Sequence, residues 1–225
     1  MAPGTKSLKI IIVEDQKLFQ ELLTHIAVNE FGHEVIGIAT NGMEAIQLCR
    51  EENPDLLLLD LLIPKISGLV VAENLRHEIP DLRILAISSE VDPLTVYRAF
   101  EIGLNGFLDK GSQSIEKLTD AIESVGKGKT YFSEVILEER KKLLKEPLSF
   151  QKILSPREQE VLSLIGGCYS DQEIGEFIGL SSSTVQTHRK HIMHKTNTHS
   201  TPALIKYALE NGFWKPHEKR LEDAW

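Results

Sequence analysis

Five side chains could act together: Glu14, Asp15, Asp60, Ser88 and Lys110. Glu14 and Asp15 directly follow the apolar run KIIIV (Lys9–Val13), and Asp60 directly follows DLLLL (Asp55–Leu59). If these runs are neighbouring parallel strands, three carboxylates meet at one rim. Their mutual repulsion favours a hard divalent cation such as Mg2+. A carboxylate in that place can also attack phosphorus and become an acyl phosphate, with the cation neutralising charge on the transferring group. Ser88 closes a further run, Arg83–Ser88, and offers a hydroxyl; Lys110 comes just after Gly106–Leu108 and offers an ammonium for phosphoryl oxygens. Any one acid at a strand end reads equally well as a solvated loop residue. Five such groups at the ends of several strands do not.

The elements that would position these groups are legible. Lys9–Val13, Glu34–Ala39, Asp55–Leu59, Arg83–Ser88 and Gly106–Leu108 read as strands, and runs such as Leu56–Leu59 are apolar throughout, as in a parallel sheet covered on both faces. Helix-length segments lie between and after them: Gln16–Asn29, Gly42–Glu52, Leu69–His77, Leu94–Ile102 and Ser114–Val125. Asn41-Gly42 and Ile79-Pro80-Asp81 supply turn chemistry. Five βα units imply an α/β doubly wound (βα)5 parallel sheet over residues 1–130, with its site beyond the carboxyl ends of the strands. After Thr130 the pattern changes. A polar helix over Ser133–Lys145, stopped by Pro147, reads as part of a linker spanning 131–152. From Ile153 only helical patterns follow, as in an all-α four-helix domain over 153–212. Ser155-Pro156-Arg157-Glu158 has capping-box spacing with Pro at the first helical position; Ser170-Asp171-Gln172-Glu173 repeats the box, and Ser181 can cap a third helix. Residues 213–225 form an extension of balanced charge that reads equally as packed, as a dimer contact or as disordered.

The charge divides with the domains. Residues 1–130 hold twelve Lys/Arg against twenty Asp/Glu, which is the whole net charge of −8. In the neutral remainder, Gly179–Leu209 contains no Asp or Glu but carries Arg189, Lys190, Lys195 and Lys206, with His188, His191, His194 and His199. An acidic first half and a locally cationic second half suggest separate tasks. The two cysteines, Cys49 and Cys168, lie in different halves, so a disulfide or metal site built on them is not expected. Met1–Lys9 is short and polar with no signal-peptide hydrophobic region, and no apolar run is long enough to span a bilayer; a cytoplasmic location is expected.

The first half resembles the CheY-like receiver domain of two-component response regulators over about residues 8–130. The resemblance rests on Glu14-Asp15, on Asp60 with Pro64 and Gly68 after it, on Ser88, on Gly106-Phe107-Leu108-Asp109-Lys110 and on ATNGMEA (Ala39–Ala45). It implies that Glu14, Asp15, Asp60 and the backbone carbonyl of Leu62 hold Mg2+, and that Asp60 is the phosphoacceptor. It further implies that Ser88 and Lys110 bind the phosphoryl group and that Phe107 is an aromatic switch residue rotating inward on phosphorylation. Leu62 stands where family members often carry a polar residue, and Ser67 replaces a common acid or amide before Gly68. Leu62 cannot orient a water with its side chain, although its carbonyl remains available.

The second half, LSPREQEVL followed by SDQEIGEFIGLSSSTVQTHRKHIMHKT, is similar to the LuxR-type helix-turn-helix of NarL/FixJ response regulators. Its third helix can also be read without the name. With Val185 as the buried reference and about 100° per residue, Ile192 and Thr196 return to the same face. Ser183, Thr187, Lys190 and His194 point the opposite way, flanked by Gln186 and His191. This acid-free face suits a major groove: Lys190 can contact phosphate or guanine, Gln186 can pair with adenine, and the Thr187 methyl can meet thymine. Ser183, Thr184, Gln186, Thr187, Arg189, Lys190, His194 and Lys195 are the expected DNA contacts, with Arg189 near the buried edge, able to reach a phosphate or an acid. The histidines are spread around the helix, and no cysteine or acid completes a metal site. Gly175 stands where the motif commonly has Ala, and predicts a softer scaffold helix at about 1 kcal/mol.

Together these readings describe a phosphorylation-controlled transcriptional regulator, not an enzyme. Its partners would be a sensor histidine kinase, a pseudo-palindromic promoter site and, once phosphorylated, a second copy of the chain. Two alternatives remain. One is a dimeric regulator that needs no phosphate. The other is an aspartate-nucleophile phosphatase of the haloacid-dehalogenase kind, which needs a second acid where Leu62 stands.

Overall fold

The computed structural model describes residues 7–111, 114–146 and 149–214. They divide into two compact units, one drawn from residues 1–91 and 98–138, the other from 92–97 and 139–225.

The first unit is built on β1 (Lys9–Val13), β2 (Glu34–Ala39), β3 (Leu56–Asp60), β4 (Arg83–Ser88), β5 (Gly106–Asp109) and β6 (Tyr131–Phe132), interleaved with α1 (Lys17–His25), α2 (Gly42–Glu52), α3 (Gly68–Glu78), the second half of α4 (Pro93–Ile102) from Arg98 onward, and α5 (Ile115–Gly126). All strand pairs are parallel, in the order β2-β1-β3-β4-β5-β6. The chain leaves β1 toward one edge and returns at β3 toward the other, so the topological switch point lies between these strands. β3 is buried along its whole length, which is why its sequence is unbroken leucine ending in one acid. One face of the sheet buries Ile10, Ile12, Leu56, Leu58, Leu85, Ile87 and Leu108 against Leu23, Ile26, Leu118, Ile122 and Val125 of the flanking helices. The register sets Val13 beside Leu59, Asp60 beside Ile87 and Ser88 beside Asp109, so the strand ends are level.

Three features differ from the sequence reading. Gln16–Asn29 is not one uniform helix: α1 gives way to a π-helical turn, Ile26–Glu30, in which Ile26 and Ala27 are both buried. The sheet has a sixth strand, β6, whose two residues are too few to carry a periodic signal. The amide of Ser133 donates to Phe107 O (3.0 Å) and its hydroxyl donates to the buried carboxylate of Asp109 (2.9 Å). These bonds carry the first unit past residue 130 into α6 (Glu134–Lys145). Pro147, the expected stop for that helix, lies outside the described residues.

The second unit contains α7 (Phe150–Ile153), α8 (Pro156–Gly166), α9 (Asp171–Ile178), α10 (Ser182–Lys195) and α11 (Thr201–Glu210). Val161, Leu162, Ile165, Ile174, Val185, Ile192, Leu204 and Ala208 form its core. Both capping boxes are formed in full, at Ser155/Glu158 and at Ser170/Glu173, and Ser181 caps α10 through the amide of Thr184. The start of the C-terminal extension is packed. Phe213 is buried, its carbonyl accepts from the Ser163 hydroxyl (2.7 Å), and Trp214 lies over Gly166 and Gly167, where a Cβ would come within 2.7 and 2.9 Å of it. The rest of the extension, from residue 215, lies outside the described residues.

Candidate phosphoryl-acceptor pocket and nucleic-acid interface

At the carboxyl ends of β1, β3, β4 and β5 the five expected groups come together. Carboxylate oxygens of Glu14, Asp15 and Asp60 lie within 4.8 Å of one another; among the described residues no other group of His, Cys, Asp and Glu gathers three ligand atoms in this way. Glu14 and Asp60 are almost fully buried, whereas Asp15 is exposed. The Lys110 ammonium bridges the two buried acids, 2.7 Å from Glu14 Oε2 and 2.8 Å from Asp60 Oδ2. The Leu62 amide donates to Asp60 Oδ1 (2.9 Å) and the Gln16 amide to Glu14 Oε1 (3.1 Å). Ser88 is fully buried beside them, its hydroxyl accepting from the Glu90 amide (3.2 Å) and its carbonyl from the Lys110 amide (2.7 Å).

Burial pushes the carboxyls of Glu14 and Asp60 above their ordinary range, against the pull of Lys110; the neighbouring acid adds to the rise in each case, Asp60 for Glu14 and Asp15 for Asp60. Burial opposes the ammonium of Lys110, but its hydrogen bonds to Asp60 and Glu14 prevail and hold its pKa above the ordinary lysine value. A cluster of hard oxygen donors, two of them desolvated and hard to ionise together, fits Mg2+: the ion would supply the positive charge that the single ammonium cannot.

The loop after β3 is held by close backbone approaches. The Gly68 amide donates to Leu61 O (3.0 Å), and a Cβ at Gly68 would sit 2.4 Å from Asp60 O. Lys65, at φ 69°, takes the left-handed conformation in the turn between them. Leu62 and Glu90 are half-buried. Phe107 is fully buried.

In the second unit, α10 buries Val185 and Ile192 and exposes Ser183, Thr184, Gln186, Thr187, Lys190 and His194. Two of the named cations pair with acids, Arg189 taking the acid rather than the phosphate of the two partners open to it. Arg189 is turned inward: its Nε and Nη2 both donate to Asp171 Oδ1 at the start of α9 (2.9 and 2.6 Å). Lys195 pairs with the buried carboxylate of Glu158 (2.7 Å), which also accepts from the Ser155 amide (2.8 Å) in the cap of α8. Asp171 and Glu158 lie 18 and 37 residues away in sequence, so helical spacing alone gave no sign of them.

Gly175 has a role beyond propensity. The turn after α9 folds back so that the Leu180 amide donates to Gly175 O (2.9 Å), and a Cβ on Gly175 would meet Leu180 O at 2.5 Å. Alanine would gain about 1 kcal/mol of helix propensity, but it presses on backbone that cannot rotate away, an overpacking cost of about 1–3 kcal/mol. Gly175→Ala is therefore expected to lower the thermal midpoint of this unit and weaken DNA binding. A midpoint at or above wild type would show that the turn yields.

The sequence families agree with this geometry. Residues 10–123 match the response regulator receiver domain, and residues 152–208 match the bacterial regulatory proteins of the luxR family. The chain belongs to the LuxR-type response regulators. The response regulator protein VraR of Staphylococcus aureus is 27% identical over 205 residues, spanning 91% of this chain and 98% of that one. Among solved structures, a LuxR-family two-component response regulator from an Aurantimonas species is 27% identical and superposes with a TM-score of 0.58 over 63% of this response regulator and 100% of its own chain. RcsB from Salmonella enterica serovar Typhimurium, solved on promoter DNA with the phosphomimetic BeF3−, has a TM-score of 0.64 at 20% identity, over 92% and 100% of the two chains. Among the described residues of this regulator no helix is long and apolar enough to cross a membrane.

Proposed function

We propose that this response regulator is a cytoplasmic, phosphorylation-controlled transcription factor whose acceptor is Asp60. The observation that carries the reading is the Lys110 ammonium shared between two buried carboxylates, with a third acid within 4.8 Å. A sensor histidine kinase would present a phosphoimidazole. An Asp60 carboxylate oxygen attacks phosphorus, the O–P bond forms, the P–N bond breaks, and the imidazole leaves. Glu14, Asp15, Asp60 and the Leu62 carbonyl would hold Mg2+, which neutralises charge on the transferring group. Lys110 transfers its hydrogen bonds to the new phosphoryl oxygens, and the Ser88 hydroxyl moves to meet them. The phosphorylated chain dimerises and sets two copies of α10 on a pseudo-palindromic site. Gln186, Thr187 and Lys190 read the groove, with Ser183, Thr184 and His194 beside them, while Arg189 and Lys195 hold α10 in place through their acids. The RcsB complex, which combines a phosphomimetic with promoter DNA, supports the same pairing of events.

The test is exposure of the whole chain to acetyl phosphate with and without Mg2+. Intact mass should rise by one phosphoryl group only with the ion, and footprinting on promoter DNA should strengthen in the same sample. An adduct without tighter DNA binding would favour the phosphate-independent regulator. Lifetime is set by Leu62, which presents no donor or acceptor to a water attacking the acyl phosphate. Leu62→Asn is expected to speed decay of the isolated phosphoprotein roughly three- to tenfold, or about 0.7–1.4 kcal/mol of barrier. Equal decay in the two proteins would remove water exclusion as the explanation.

A further inference from the structure

Lys110 has a third neighbour. Its ammonium stands 4.4 Å from the centroid of the Phe19 ring, on α1. The same ring lines a cavity of about 60 Å3 beside Lys110, together with Leu22, Ile87, Leu108, Ile115 and Leu118. The lysine therefore has an aromatic face to rest on and room in which its side chain can shift.

Charge counting gives this contact a task. Three carboxylates and one ammonium leave the pocket short of positive charge, and the ammonium rests on one oxygen each of Glu14 and Asp60. A phosphoryl group on Asp60 would replace that carboxylate's charge with its own oxygens. Lys110 would then trade its carboxylate contact for phosphoryl oxygens while staying within reach of them. An aromatic ring holds an ammonium without bringing further negative charge, and does so more strongly where water is excluded. The Lys110 side chain is 13% exposed, so the contact is largely desolvated.

We infer that Phe19 is a positioning residue of the phosphoryl pocket, holding the Lys110 ammonium while it exchanges carboxylate partners for phosphoryl oxygens. The inference rests on the receiver reading of the pocket, and its test separates the two. In the metal-free protein, NMR of the Lys110 ε-methylene protons should show an upfield ring-current shift. That shift should be absent in Phe19→Leu, present in Phe19→Tyr, and preserved when Mg2+ is added to the wild type. With acetyl phosphate and saturating Mg2+, Phe19→Leu should be phosphorylated about two- to thirtyfold more slowly, with Phe19→Tyr close to wild type. In a Lys110→Met background Phe19→Leu should cause no further loss. A shift that disappears on adding Mg2+, equal slowing by Leu and Tyr, or the same loss without Lys110 would each reduce Phe19 to a packing residue. A wild type that is never phosphorylated would instead overturn the receiver reading, leaving the NMR result to decide the contact itself.

Discussion

Asp60→Asn is expected to abolish the phosphoryl adduct while leaving the fold intact. An amide oxygen carries no full negative charge and does not form a stable acyl phosphate, so intact mass after acetyl phosphate and Mg2+ should stay unchanged. The structure indicates why the variant should survive. Asparagine Oδ1 can keep the bond from the Leu62 amide, now 2.9 Å. Its Nδ2 would then face Lys110 and lose that ion pair, but Lys110 keeps Glu14 at 2.7 Å. Removing one member of a repelling acidic cluster also offsets part of the loss, because burial already holds the Asp60 carboxyl above its ordinary pKa. Mg2+ affinity should fall by about tenfold or more, since one of three charged ligands is gone. An adduct that persists in this variant would place the acceptor elsewhere, with Asp15, exposed and nearby, the first alternative to test.

What could be read from the sequence was whatever repeats locally. The buried run of β3, the two capping boxes and the Val185–Ile192 face of α10 are short-range patterns, and the structure has each of them. The convergence of Glu14, Asp15, Asp60, Ser88 and Lys110 was legible because the rule for parallel sheets turns strand ends into a rim. What could not be read depends on partners distant in sequence. Nothing local marks Arg189 as a partner of Asp171, Lys195 as the neutraliser of Glu158, or Phe19 as the ring beneath Lys110. Two-residue β6 lies below the length at which alternation has meaning. Glycines are the clearest case. By propensity Gly175 reads as a soft spot, yet the folded chain gives it a backbone oxygen where a methyl would go.

Gly68 carries the same reasoning into the phosphoryl pocket, with larger consequences. It is the first residue of α3, a position where alanine is the better helix former. Space reverses that preference. A Cβ on Gly68 would lie 2.4 Å from Asp60 O and 2.6 Å from the Cα of Leu61, both backbone atoms at the end of a strand buried along its length. No rotamer change relieves such a contact. Either α3 retreats and stretches the 3.0 Å bond from Gly68 N to Leu61 O, or the end of β3 moves and takes the acceptor carboxylate with it. The first costs stability, about 1–3 kcal/mol for overpacking. The second displaces Asp60 from Lys110, and a misplacement of about 1 Å can cost on the order of a hundredfold in rate. Gly68→Ala is therefore expected to lower the denaturation midpoint and to slow phosphorylation by acetyl phosphate by roughly two orders of magnitude. Ser67→Ala is the matched control, because the Ser67 side chain makes no capping hydrogen bond and is exposed; both quantities should stay near wild type. If Gly68→Ala proves as stable and as fast as Ser67→Ala, the close approach of α3 to β3 does not govern where the acceptor sits.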